Sequence, residues 1–237
     1  MKINCDIGER GIANLLDREL MTLIDIANIA CGGHAGDLES VKFFRQLARE
    51  NDVQVSAHLS YPDKENFGRV SVVLTDDELL LSLDEQYELM NDVKWIKFHG
   101  ALYNDLNNDQ NLARLIYTWL KKHEIEFVLS PQNSELAKIC KEKGLIQVVP
   151  EVFAERAYVF DPLKEQFSLM PRAREGAVLE ELEDALRQSE DLIKGNVLSH
   201  EADSTCIKRE IHGETICLHS DAKIALELAQ GLRRMLA

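Results

Sequence analysis

The chain lacks any run approaching the ~18 uninterrupted apolar residues of a membrane-spanning helix, and its amino terminus, MKINCDIGER, has no apolar signal core. Neither a membrane partner nor export is expected. Positive charge is scarce: 27 Lys and Arg stand against 41 Asp and Glu, a formal charge of −14 that opposes nucleic-acid backbones and anionic lipid. Cysteines are few and scattered (Cys5, Cys31, Cys140, Cys206, Cys217) and form no CxxC pair, which argues against a disulfide framework or zinc knuckle and fits a reducing cytoplasm. Neither GxxxxGK[ST] nor GxGxxG occurs, so the standard phosphate loops are excluded. Repeats, low-complexity segments and linkers are missing too. With 237 residues, 45% of them hydrophobic, the chain fits one α/β barrel domain over residues 1–237.

What is present is a recurring juxtaposition. Strand-like apolar runs end directly on histidine in VQVSAH (53–58), WIKFH (95–99) and ETICLH (214–219). IANIACGGH (26–34) delivers His34 just past its run, and KINCD (2–6) ends on Asp6. In α/β folds, polar groups at the carboxyl ends of successive parallel strands converge on one face, where the chemistry sits. Period-two alternation puts Asn4, Ser56 and Lys97 on the face of Asp6, His58 and His99. Ile3, Cys5, Val53, Val55, Ala57, Ile96 and Phe98 take the other, helix-covered face. An enzyme with a polar interior site is therefore expected.

Short apolar runs alternate with amphipathic ones, as a βα repeat requires. Strands are expected at 3–5, 26–30, 53–57, 94–98, 126–129, 146–149 and 196–199. Helices are expected near 17–23, 35–51, from the Thr75/Glu78 capping box onward, and at 110–122, 133–143, 175–192 and 220–236. Residues 151–175 read as an irregular or hairpin insertion, and 207–211 with 215–218 as a hairpin about His212-Gly213-Glu214.

Taken singly, a histidine after a strand is most often structural; their joint occurrence is what points to chemistry. A buried Lys97 needs a partner, and Asp6 or a substrate carboxylate would serve. Asp63, Arg69, Glu151 and Arg156 fall on loops and read individually as surface charges, and Gly32 and Gly33 as a tight turn. Gly36-Asp37 opens a helix, offering either an anion site or an ordinary cap. Asp6, His34, His58 and His99 could bind a divalent metal, although no HxxxH or HExxH spacing supports one. An equally good reading is metal-free, with Asp6 or a histidine as general base and Lys97 as electrostatic stabiliser.

The ordered motifs NCDIGE, NIACGGHAGD, AHLSYPD with FGR, KFHGALYN, EVFAERAY, LMPR and ICLHSD resemble those of the LamB/YcsF family, the family of the A-type subunit of 5-oxoprolinase, over essentially the whole chain. The resemblance implies a seven-stranded variant of the (β/α) barrel shared with glycoside hydrolases and deacetylases. It further implies ATP-dependent opening of the 5-oxo-L-proline lactam to L-glutamate with partner subunits B and C. On this reading Asp6, His34, His58, Lys97 and His99 are catalytic. Asn4, Asp37, Arg69, Tyr103, Asn104, Glu151, Arg156 and His219 bind substrate, ATP is the co-substrate, and self-association stays open. The chain departs from the family pattern at Lys2, Gly33, Leu59, Val70, Phe98, Glu155 and Ser220, which leaves room for an altered substrate or lost activity. Two other readings remain: a metal-dependent deacetylase or amidohydrolase, and a non-catalytic carbohydrate- or metabolite-binding subunit.

Overall fold

The computed structural model describes residues 1–201 and 205–237. Its elements run β1 (Lys2–Ile7), α1 (Leu15–Met21), β2 (Ile26–Ala30), α2 (Leu38–Glu50), β3 (Gln54–Leu59), α3 (Asp76–Glu88), β4 (Trp95–Phe98), α4 (Gly100–Asn108), α5 (Gln110–Lys122), β5 (Phe127–Ser130), α6 (Glu135–Lys143), β6 (Gln147–Phe153), β7 (Tyr158–Asp161), β8 (Gln166–Leu169), α7 (Leu182–Ile193), β9 (Asn196–His200), β10 (Cys206–Glu210), β11 (Thr215–His219) and α8 (Ala225–Leu236). Seven parallel strands close a barrel in the order β1-β11-β6-β5-β4-β3-β2, and β10-β9-β7-β8 form a separate four-stranded sheet. The (β/α) barrel of seven strands expected above is what the chain forms.

The barrel follows from two-faced strands. Ile3, Cys5, Ile7, Ala27, Ile29, Ala57, Leu59, Ile96, Ile216 and Leu218 are buried in one shell with helix residues such as Phe44, Leu83, Trp119 and Leu228. Each large aliphatic there contributes about 1.5–3 kcal/mol on burial. Local signals start the helices. Asp37 and Ser40 form a capping box on α2, Thr75 and Glu78 another on α3, and Ser134 caps α6.

Four sequence expectations are corrected. The 207–211/215–218 hairpin does not form: β10 pairs antiparallel with β9, while β11 enters the barrel between β1 and β6. The reason is burial: Thr215–Leu218 is wholly buried, whereas β10 is exposed or half-buried. Strand β6 continues through Pro150 to Phe153 rather than stopping at Val149; Pro150 lacks an N–H, but its carbonyl accepts from Glu214 N at 2.8 Å. The helix expected from Glu175 begins only at Leu182, after a turn containing Gly176 at φ 76°. Finally, α4 precedes α5, the two separated by Asp109, whose extended backbone ends one helix and whose side chain caps the next. The insertion after β6 does contain a hairpin, β7–β8.

No helix among the described residues is long and apolar enough to cross a membrane. All five cysteines are unpaired, and four of them are buried.

Candidate active site at the carboxyl mouth of the barrel

Register assembles the interior. Asn4 lies beside Cys217, Asp6 beside both Asn28 and His219, His58 beside Lys97, and Thr215 beside Glu151. These are the polar faces of strands whose other faces make the apolar shell, and the result is a layered polar core under the barrel mouth.

At its centre, Lys97 Nζ donates to Asp6 Oδ1 (3.0 Å), Asn4 Oδ1 (3.2 Å) and Cys217 Sγ (3.0 Å), and lies 3.0 Å from Glu151 Oε1. The side chain is only 2% exposed. Burial opposes its charge, but Asp6, Cys217 and Glu151 more than offset that and hold its pKa well above the ordinary lysine value. Asn28 Nδ2 donates to both Asp6 Oδ1 (3.0 Å) and Asn4 Oδ1 (2.8 Å), and Asn4 Nδ2 to Thr215 Oγ1 (2.9 Å). Burial likewise opposes ionisation of Asp6, yet His58 and Lys97 draw its pKa well below the carboxylate range. Lys97 and Asp6 are thus a charged pair at neutral pH.

Above this pair sits a histidine cluster. His58 Nε2 is 2.9 Å from His99 Nδ1 and 3.3 Å from Asp6 Oδ2; the His34 ring stacks on His99 at 3.7 Å between centroids. Glu9 Oε1 faces all three, 2.9 Å from His34 Nε2, 3.3 Å from His99 Nδ1 and 3.7 Å from His58 Nε2. Burial, then the charge of Asp6, pushes the Glu9 carboxyl up to about 7. Burial lowers His34 to about 4 and, with His34 and His58 beside it, holds His99 well below the usual imidazole value.

The mouth opens into a cavity of about 590 Å³ lined by Asp6, Lys97, His99, His219 and the guanidinium groups of Arg69, Arg156 and Arg172. Arg69 pairs with Asp221 at 2.5 Å; Arg156 donates to the Met170 and Ala177 carbonyls. Burial and the neighbouring Arg172 lower Arg156 to about 10. Tyr103 and Asn104 line the same cavity and a smaller one, about 240 Å³, that reaches Glu151. His219 is held by Glu155, which accepts from both its Nδ1 and its backbone N.

Of the residues singled out from sequence, Asn4, Asp6, His34, His58, Lys97, His99, Tyr103, Asn104, Arg69, Glu151, Arg156 and His219 are brought to one end of the barrel. Asp37 is not. It is exposed and accepts from Ser40 N as the cap of α2. Glu151 and Arg156 are buried rather than surface charges, because β6 runs past Pro150 and carries Glu151 inward. Asp63 stays on the surface loop, capping Asn66 N.

Sequence reasoning missed Glu9, Asn28, Glu155, Arg172, Cys217 and Asp221. The alternation that selected Asn4 and Lys97 also reaches Asn28 and Cys217, each interior by the same parity. Glu9 gave no such signal: the chain turns at Gly8, φ 83°, where an added Cβ would lie 3.1 Å from Phe44, and only this turn carries Glu9 back over the mouth.

The fold and this constellation define a parallel-barrel protein with a charged, partly enclosed site at the carboxyl ends of its strands, the arrangement of barrel enzymes. The chain belongs to the LamB/YcsF family, whose profile matches residues 1–237. It is similar to the A-type subunit of 5-oxoprolinase from Histophilus somni (35% identity over 99% of this chain and 94% of the relative) and from Pyrococcus abyssi (37% over 99% and 92%). Among solved structures it is similar to the lactam utilization protein of Thermus thermophilus, with a TM-score of 0.82 and 26% identity over 100% of this chain and 95% of that one.

Proposed function

We propose that the chain acts as the A-type subunit of a 5-oxoprolinase, binding 5-oxo-L-proline in the mouth cavity and opening its lactam to L-glutamate with ATP and partner subunits B and C. The observation that carries this reading is the buried Lys97–Asp6 pair beneath a cavity rimmed by Arg69, Arg156 and Arg172. A small amide bearing a carboxylate suits such a site: guanidinium groups take the carboxylate, and Lys97 faces charge developing on the lactam oxygen. The names of the relatives point the same way.

A lactam is a stable amide and needs activation. Transfer of the ATP γ-phosphoryl group to the lactam oxygen releases ADP and makes the ring carbon electrophilic. Water adds there, with Asp6 accepting its proton. The ring C–N bond then breaks as nitrogen gains a proton, leaving an acyl phosphate that a second water converts to glutamate and phosphate. With the standard phosphate loops missing from this sequence, nucleotide handling is assigned to the assembled complex.

The test is glutamate release from 5-oxoproline and ATP, by the purified chain alone and with subunits B and C. Release only from the complete set supports the proposal; silence from a folded, complete set overturns it. A second reading, a metal-dependent amide hydrolase needing no nucleotide, is favoured by the histidine cluster, and ATP-independent release would identify it.

A further inference from the structure

We propose that Glu9, His34, His58 and His99 form a binding site for one divalent transition-metal ion of the zinc class. Convergence is the first ground. Glu9 Oε1, His34 Nε2, His58 Nε2 and His99 Nδ1 all lie within 4.8 Å of one another. Four of their separations are 2.9, 2.9, 3.3 and 3.7 Å. Metal–ligand bonds of about 2.0–2.1 Å in a tetrahedron give edges of about 3.4 Å, within that spread.

The second ground is where the protons sit. His58 Nδ1 faces the Lys97 carbonyl at 3.3 Å, and His99 Nε2 faces the Phe67 carbonyl at 3.0 Å. A carbonyl oxygen only accepts, so each of these outward nitrogens carries the hydrogen. In the neutral rings the inward nitrogens are then both lone pairs, and they point at each other across 2.9 Å. Two facing lone pairs repel unless a positive centre lies between them. An outer N–H fixed by a backbone carbonyl, with the lone pair turned inward, is the arrangement metal-ligating histidines adopt.

A proton on His58 would bridge one pair and serve Asp6 as well. It would do nothing for the convergence of Glu9 and His34 on the same point, which a dication uses in full. Three imidazole nitrogens and one carboxylate oxygen suit a borderline ion; magnesium favours oxygen and water. The neighbouring group Asp6, Cys217 and His219 also brings three ligand atoms together, but Lys97 already donates to Asp6 and Cys217, and Glu155 holds His219. When bound, the ion would supply Lewis acidity at the edge of the mouth, beside Asp6.

The inference does not rest on the lactam reading, and its readout is metal rather than turnover. The full-length chain, stripped with chelator, is dialysed to equilibrium against micromolar Zn²⁺ or Mg²⁺ and its metal content measured. Close to one zinc per chain, no retained magnesium and a rise in melting temperature with zinc are expected. Glu9→Gln with His58→Gln should reduce zinc to background. Cys206→Ser, which removes the exposed thiol 3.4 Å from His200 Nδ1, should leave it unchanged. Below a tenth of an equivalent on the folded native chain, or zinc lost with Cys206→Ser, overturns the site. Should the double variant misfold, zinc-edge X-ray absorption on the native chain decides: imidazole scattering supports the site, and its absence refutes it.

Discussion

Around Lys97, each buried charge meets its opposite within the chain: one ammonium faces Asp6 and Glu151, and three neutral acceptors or donors complete the shell. A few ångströms nearer the mouth, His58 Nε2 and His99 Nδ1 face each other across 2.9 Å, with Glu9 and His34 drawn to the same point. Both clusters are buried and both hang from strand ends, so position does not separate them. Completeness does. The lysine cluster is finished by folding, whereas the histidine cluster is shaped for a charge from outside the chain.

The largest effect should come from breaking the complete cluster. Lys97→Met leaves Asp6 and Glu151 buried without a cation, and removing one partner of a buried pair costs about 3–5 kcal/mol. Denaturant unfolding at pH 7 should show that loss together with abolished glutamate release. The sign with pH is diagnostic: with no ammonium, burial of Asp6 favours its protonated form when folded, so the variant should recover stability as pH falls. A stability indistinguishable from the native chain would show that Lys97 is not paired as described.

Asp6→Asn separates chemistry from support. Lys97 keeps Glu151, and an amide oxygen still accepts from Lys97, so the fold should suffer far less than in Lys97→Met. Loss of a general base lowers turnover by about 10²–10⁴. Turnover within threefold of native would remove Asp6 from the role of base.

The barrel and most of its site were legible because two-faced strands leave a period-two imprint, and histidines at run ends mark one direction along them. What stayed hidden lay where tertiary context overrides local signals. Pro150 looked like a strand terminator, which made Glu151 look like a loop charge; only the barrel's own pairing keeps that proline in β6. The hairpin at His212-Gly213-Glu214 was locally plausible, and burial of Thr215–Leu218 against β1 and β6 defeated it. Glu9 reaches the site through a single left-handed turn at Gly8, which no periodicity announces.

Asp17 sharpens the contrast from outside the site. It is fully buried, like Asp6, and accepts from Gly8 N (2.9 Å) and Asn14 Nδ2 (3.3 Å), but among the described residues no ammonium donates to it. Burial pushes its carboxyl up to about 6. A folded pKa above the unfolded value means the stabilisation is complete below about pH 4 and is lost as pH rises through 6; Asp6, with a depressed pKa, acts in the opposite sense. Asp17→Asn removes the charge and keeps one acceptor oxygen, for Gly8 N, while losing the one that accepts from Asn14, so its stability relative to native should be about 2–3 kcal/mol more favourable at pH 7.5 than near pH 4. Paired denaturant melts at the two pH values measure this, and an equal effect at both would contradict it.

The smallest effect concerns how the backbone entering the histidine cluster is set. Gly33 has no room for even a methyl group: a Cβ would lie 2.3 Å from Gln86 Oε1 and 2.5 Å from Ser60 Oγ. Gln86 fills the space, accepting from Ser60 N and donating to Ser60 O, each at 2.9 Å, so α3 is tied to Ser60, just past β3, and packs against Gly33, one place before His34. Gly33→Ala should therefore cost about 1–2 kcal/mol by overpacking. Gln86→Ala should cost a similar amount by leaving both backbone groups of Ser60 unpaired. Combined, the two should cost less than their sum, because the second removes one of the two side chains the first collides with, and coupling on the order of 1 kcal/mol is expected for residues in contact. Strict additivity in a double-mutant cycle would mean that the loop ahead of His34 yields instead of Gln86.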